Sequence, residues 1–414
     1  IDINTPIFSP DSEHIVYITK KAEKWCAVTD SNEHECYDGI SVPFFSPDSS
    51  KIAYIAKKGE KKVVVINGKE TKTHDGIYSK HRPTFSSDSA NLSYIALQGK
   101  TMFMVENGKE SDAHDLISQQ LYSPDSTHLA YAAKKDNKLF MVVDGQPREQ
   151  EYDQIFLYLY SRDSSQLAFI VNKDNKWFVV NNGKEGKYFD NIMSPAYSDN
   201  SKRFAYIGVK SNKSFSVVDG KIGNRYDKIE QLKFSPDSSR VAYIAINNER
   251  QFMVINGEEG PSYDDIIFYT FSPDSNHVAY IAKKGDIWVT VVDGKKGSQY
   301  DNIFYLVFSP DSKHFMYIAK KTDKWMVVVD GKEGPEYDAA AYPTFSPDST
   351  YNAYIAQKDK KWFIVVNQNE CKKMFPGFVK GSSLIFDSPN QLHALVLSEA
   401  DKSFALYEVN IKSD

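Results

Sequence analysis

The chain has 414 residues, 41% hydrophobic, 25% charged and 14% aromatic, a composition that can bury a large core and excludes disorder or a collagen-like filament. Fifty basic residues against 55 acidic ones leave a net charge of −5, so no basic field is present to hold nucleic acid, and no run of about 18 apolar residues supplies a membrane span. Three cysteines without a C-x-x-C pair exclude a disulfide-rich scaffold and a cysteine-based zinc site.

The chain opens at Ile1 rather than Met and carries no signal-type apolar segment, which reads as a processed or trimmed product. From there an aromatic-Ser-Pro-Asp-Ser phrase returns with Asp at positions 11, 48, 88, 125, 163, 237, 274, 311 and 348, mostly 37 residues apart. Degenerate copies at Asn200 and Pro389 bring the number of units to eleven. Three residues before the Asp the side chain is aromatic in every unit, from Phe8 to Phe386. Six residues after it Tyr or Phe recurs in ten of the eleven, from Tyr17 to Tyr354. Each unit holds apolar runs of four to six residues rich in Val, Ile, Tyr and Phe, bounded by Pro-Asp-Ser, Lys-Lys or Asp-Gly, the pattern of short strands joined by hairpins. In the unit around Asp311 the predicted strands are 305–308, 315–319, 325–329 and 336–338. The third is apolar at Met326, Val327 and Val328, so it requires cover on both faces.

This phrase and its register resemble the WD40-like (PD40, TolB-type) β-propeller repeat family, over essentially the whole chain, with Ser commonly standing where the family has Gly after the Asp. The expected fold is all-β: a single propeller array over residues 1–414, built of eleven four-stranded blades of about 37 residues. One large ring is expected, and two tandem rings of five and six blades are the alternative. Ile1, Asp2 and Ile3 align with the end of a fourth strand and would complete the last blade. The resemblance implies a bacterial, extracytoplasmic binding or scaffolding module, periplasmic or extracellular.

Taken along the chain, the chemistry-bearing positions begin with Cys26 and Cys36, in strands three and four of the first unit. They can face one another as a disulfide in an oxidising compartment or remain reduced, leaving Cys371 over. The repeated Asp of Pro-Asp-Ser is expected to accept backbone N–H groups within its turn. A second column, Tyr-Asp, with Asp at 38, 75, 115, 153, 190, 227, 264, 301 and 338, is expected to pair with a backbone N–H or a nearby Lys rather than with a cation. Asp-Gly and Asn-Gly between strands three and four are hairpin turns. No calcium loop, metal-spaced His or Gly-x-Ser-x-Gly elbow occurs, so no cofactor, metal or enzyme activity is expected.

Loops between strands two and three carry Lys20-Lys21, Lys57-Lys58, Lys134-Lys135, Lys283-Lys284 and Lys320-Lys321, and are expected to form a lysine-rich face able to steer an anionic partner. The same face receives the links from strand four to the next strand one. These links hold the candidate ligand-binding residues Tyr78, Lys80, His81, Arg82, Phe156, Tyr158, Phe268, Tyr269, Phe304, Tyr305 and Tyr342, with three extra residues inserted before Asp88. Aromatics there would rim the inner strands and grip a peptide or stack on a sugar. The expected function is non-enzymatic recognition of a protein or peptide. A lectin-like glycan-binding propeller, or an accessory propeller of a larger surface protein or hydrolase, is the alternative.

Overall fold

A computed structural model describes residues 6–78, 80–379, 381–398 and 403–411; the expected strand contribution of Ile1 to Ile3 lies outside them. Eleven antiparallel sheets are present among the described residues, which we number as blades 1 to 11 in chain order. No helix is long and apolar enough to cross a membrane. The chain divides into two compact units, one through residue 192 with blades 1 to 5 and one from residue 193 with blades 6 to 11.

Blade 9 shows the plan. Its strands Asn302–Phe308, Phe315–Lys321, Lys324–Val329 and Lys332–Glu333 pair in sequence order, the meander of a propeller blade. Met326, Val327 and Val328 are all buried, because each face of the sheet meets another blade. Met316, Ile318 and Val327 of blade 9 pack against Tyr354, Ala356 and Phe363 of blade 10. Blade 11 has three strands, Ile385–Ser388, Gln391–Leu397 and Phe404–Asn410.

The repeated Tyr column forms the blade junctions. Tyr263 meets Tyr280 edge-on at 5.9 Å between ring centroids, Tyr300 meets Tyr317 at 6.0 Å and Tyr337 meets Tyr354 at 6.1 Å. In the first unit His74 and His114 take the outer Tyr position against Tyr94 and Tyr131, and burial pushes both imidazoles below their ordinary pKa.

The Asp of each Pro-Asp-Ser phrase is a turn residue, as expected. Asp237 accepts the Ser235 hydroxyl at 2.6 Å and the Ser239 N–H at 2.9 Å. The serine after the Asp does something further. Ser275 is buried with φ +66°, and its hydroxyl accepts the backbone N–H of Asp237, one blade earlier, at 2.9 Å. The same bond joins Asp274 to Ser312 and Asp311 to Ser349, and in the first unit Asp48 to Ser89 and Asp125 to Ser164, at 2.9–3.0 Å. A left-handed backbone favours Gly, so the hydroxyl stitch explains why Ser stands there instead.

The second carboxylate column also pairs locally. Asp338 accepts the Asp359 N–H at 2.9 Å and the Lys324 ammonium at 2.8 Å, and Asp75 accepts the Gly99 N–H at 2.6 Å and pairs with Lys61.

Two strand limits differ from the sequence-based expectation. Residues 336–338 are not a fourth strand: the strand is Lys332–Glu333, followed by a single bridge from Tyr337 to Trp325. Asp338 already donates its N–H to Gln357 of the following blade, so the supposed links are the start of the next first strand. Thus the first strands of blades 8, 9 and 10 are Asp265–Phe271, Asn302–Phe308 and Ala339–Phe345, each with a register shift. In blades 2, 3 and 4 the first strand is instead broken in two, as Gly39–Ile40 and Phe44–Phe45, Gly76–Ile77 and Thr84–Phe85, and Leu116–Ile117 and Leu121–Tyr122. Between the two halves of the strand in blades 2 and 4, the Ser41 and Ser118 hydroxyls accept the N–H groups of Ile55 and Ala132 at 2.9 Å.

Candidate functional site

The first strand lies at the edge of each sheet, so a register shift there leaves backbone groups without a ladder partner. In the second unit this edge carries aromatic side chains. Phe268 and Phe304 are exposed, and Tyr305 is 53% exposed with Tyr342 half-buried beside it, 6.4 Å between ring centroids. Tyr305 and Tyr342 have φ of +56° and +52°. Bulky side chains rarely take this backbone, and such strain concentrates at functional sites. Ser194 and Gln231 occupy the equivalent bulge in blades 6 and 7, also at positive φ. Phe304 packs on Trp325 at 5.5 Å.

Tyr269 is fully buried and belongs to the junction rather than the rim: its hydroxyl sits between the carbonyls of Gln231 and Ala242 and donates to one of them at a time. Sequence reasoning missed its neighbour Lys233. The Lys233 ammonium lies 4.1 Å from the Tyr269 ring centroid and donates to the Tyr269 carbonyl at 2.9 Å; burial pushes its pKa down. The signal was present, since Lys233 is the one charged residue among the eleven that directly precede the recurrent aromatic.

The remaining candidates lie in the first unit. Phe156 is 73% exposed and meets Trp177 edge-on at 6.4 Å, while Tyr158 is half-buried with its hydroxyl 3.0 Å from the Ser118 hydroxyl. Tyr78 contacts His81 at 5.6 Å, and the Arg82 guanidinium lies 5.9 Å from the Phe44 ring centroid. Lys80, His81 and Arg82 line a cavity of about 730 Å³, larger than inter-blade grooves of about 250 to 450 Å³ elsewhere. Tyr78, Lys80, His81 and Arg82 gather around the broken strands, and Phe268, Phe304, Tyr305 and Tyr342 follow the bulged edges.

Six lysines of the lysine-rich turns have a partner. Lys21 pairs with Glu33, Lys58 with Glu70 and Lys321 with Glu333, while Lys20, Lys283 and Lys320 lie over Trp25, Trp288 and Trp325. The opposite turns are not simply acidic either, because His14, His128, His277 and His314 each sit 2.6–2.7 Å from an Asp carboxylate. The carboxylate of Asp30 raises the pKa of His14 through this hydrogen bond. Cys26 and Cys36 face one another across strands three and four of blade 1 and are joined by a disulfide; Cys371 is free.

No family model and no curated protein matches the chain. Solved structures similar to it include TolB from Acinetobacter baumannii, with 15% identity over 52% of this chain and a TM-score of 0.26. The chain spans 63% of the length of that TolB. Others are the Dos1 propeller, 10% identical over 68% of this chain and 90% of that one with a TM-score of 0.30, and the β-propeller domain of the Trilobed protease from Pyrococcus furiosus. The last is 14% identical over 63% of this chain and 95% of that one, with a TM-score of 0.29. The blade-by-blade strand order itself defines the class, an all-β propeller-type repeat protein.

Proposed function

We propose that the protein is a non-enzymatic binding module, acting outside the cytoplasm, that grips a protein or peptide along the first-strand edges of blades 8 to 10. The observation that carries this reading is the Tyr305 and Tyr342 pair, two large side chains held on left-handed backbone and presented to solvent. Around each of them the ladder skips, between Phe304 and Val307 and between Ala341 and Thr344. Unpaired backbone beside aromatic side chains suits an extended peptide, whose own N–H and C=O groups can complete the edge while the rings hold alternate side chains. A neutral sugar would use the rings and leave the backbone unused.

Peptide-display selection on the intact protein, followed by titration of the selected peptide, tests this. Tyr305→Ala combined with Tyr342→Ala should weaken binding by about tenfold or more, equivalent to the ~1.4 kcal/mol or more that aromatic anchors contribute. Lys284→Ala, a surface change in a different turn, should leave it unchanged. If selection yields no peptide and a glycan array yields a sugar whose binding needs both tyrosines, the module is lectin-like and the peptide reading fails.

A further inference from the structure

The cavity in the first unit exists because three successive first strands are broken. In blades 2, 3 and 4 the first strand lapses between Ile40 and Phe44, between Ile77 and Thr84, and between Ile117 and Leu121. The gap is lined on one side by Phe44 and Phe85, edge-to-face at 5.7 Å, and on another by Lys80, His81 and Arg82.

Its charge is uncompensated. No carboxylate is among the residues lining it, and among the described residues neither Lys80 nor Arg82 has an ion-pair partner. This contrasts with the cations of the repeated columns, where Lys61, Lys213 and Lys324 each hold an Asp at the start of the following blade. Gln120 supplies an independent sign. It is 4% exposed, and the Arg82 carbonyl, the Thr84 hydroxyl and the Ser93 carbonyl lie 3.2–3.3 Å from its Nε2, whose two N–H groups bond two of them at a time and anchor the inserted loop. Gln120 is among the residues lining the site, and its Oε1 is buried without a hydrogen-bond partner. A buried acceptor left unpaired in a native fold calls for a donor.

We propose that this cavity binds a small organic oxyanion, a carboxylate or phosphate on an apolar or ring-shaped body that also carries a hydroxyl or N–H donor. The oxyanion meets Lys80, His81 and the planar Arg82 fork, the body packs on Phe44 and Phe85, and the donor reaches Gln120. The volume, about 730 Å³, is that of a small-ligand site. The site lies wholly in the first unit and is independent of the peptide reading of blades 8 to 10.

Calorimetric titration of the full chain with mandelate, phenyl phosphate and the neutral mandelamide tests it. Either anion should bind with a Kd of about 1 mM or below, and mandelamide about tenfold or more weaker. Lys80→Ala with Arg82→Ala, and Arg82→Ala alone, should each weaken anion binding by about tenfold or more while leaving the melting temperature in place, since both side chains are exposed. Equal affinity for mandelamide, unchanged anion binding in the double variant, or no binding of either anion up to about 10 mM would each overturn the proposal.

Discussion

Ser275 shows how one side chain can do two jobs at a junction. Its left-handed backbone would be relieved by Gly, yet Gly would release the N–H of Asp237. Ser275→Ala loses the hydroxyl and keeps the strain, so it should cost about 1–3 kcal/mol, the penalty of an unpaired N–H plus strain. Ser275→Gly should cost clearly less. Urea unfolding of both variants measures the difference, and a Gly variant as damaged as the Ala variant would show that the bond, not the backbone, dominates. The neighbouring carboxylates set an acid limit. Hydrogen bonds from Ser272 and the Asn276 N–H hold Asp274 down to about 2, below its unfolded value of 3.8. A depressed folded-state pKa contributes stability that is whole above about pH 4 and disappears as the pH falls toward 2. Asp274→Asn should therefore flatten the acid dependence of the urea midpoint between pH 4 and pH 2. Asn200 already shows that an amide fits, accepting the Ser198 hydroxyl at 2.8 Å and the Lys202 N–H at 3.0 Å.

At the scale of strands, burial separates columns that look alike in sequence. Tyr280 is 3% exposed and packs on Tyr263, whereas Lys284 sits in an exposed turn. Tyr280→Ala should cost about 3–5 kcal/mol, as large-to-small core changes do, and Lys284→Ala close to nothing; chemical denaturation of the two reads this directly. Periodicity made the four-stranded sheets, the buried Tyr column and the local pairing of both Asp columns legible, because each repeats within 37 residues and obeys turn and strand chemistry. The serine stitch was visible only as Ser in a Gly position, since its partner stands one blade earlier. The ends of the first strands were misplaced because their ladder partner belongs to the next unit in sequence. The cavity stayed hidden for the same reason: three blades contribute to it, and Gln120 carries no motif.

At the scale of the whole molecule, the two units differ in how they are fastened. The disulfide ties strands Lys24–Thr29 and Asn32–Tyr37 of blade 1 and therefore belongs to the first unit alone. Reduction should lower the stability of that blade by about 2 kcal/mol, the lower end for a short covalent loop. Hydrogen exchange followed by mass spectrometry should show faster exchange in residues 24–37 and no change from residue 193 onward. Uniform acceleration across both units would instead make them one cooperative body.

The stitch from an Asp N–H to the serine of the following blade also bears on how such a chain arose. Where the stitch occurs, both of its halves belong to the repeated phrase, so a duplicated copy of such a blade arrives with both halves of its two new seams already in place. Loss of one copy leaves the flanking pair equally matched. Gene duplication can thus lengthen or shorten the array in whole steps of one blade, without compensating substitutions, while an inserted loop such as that at Lys80 to Arg82 is free to diverge.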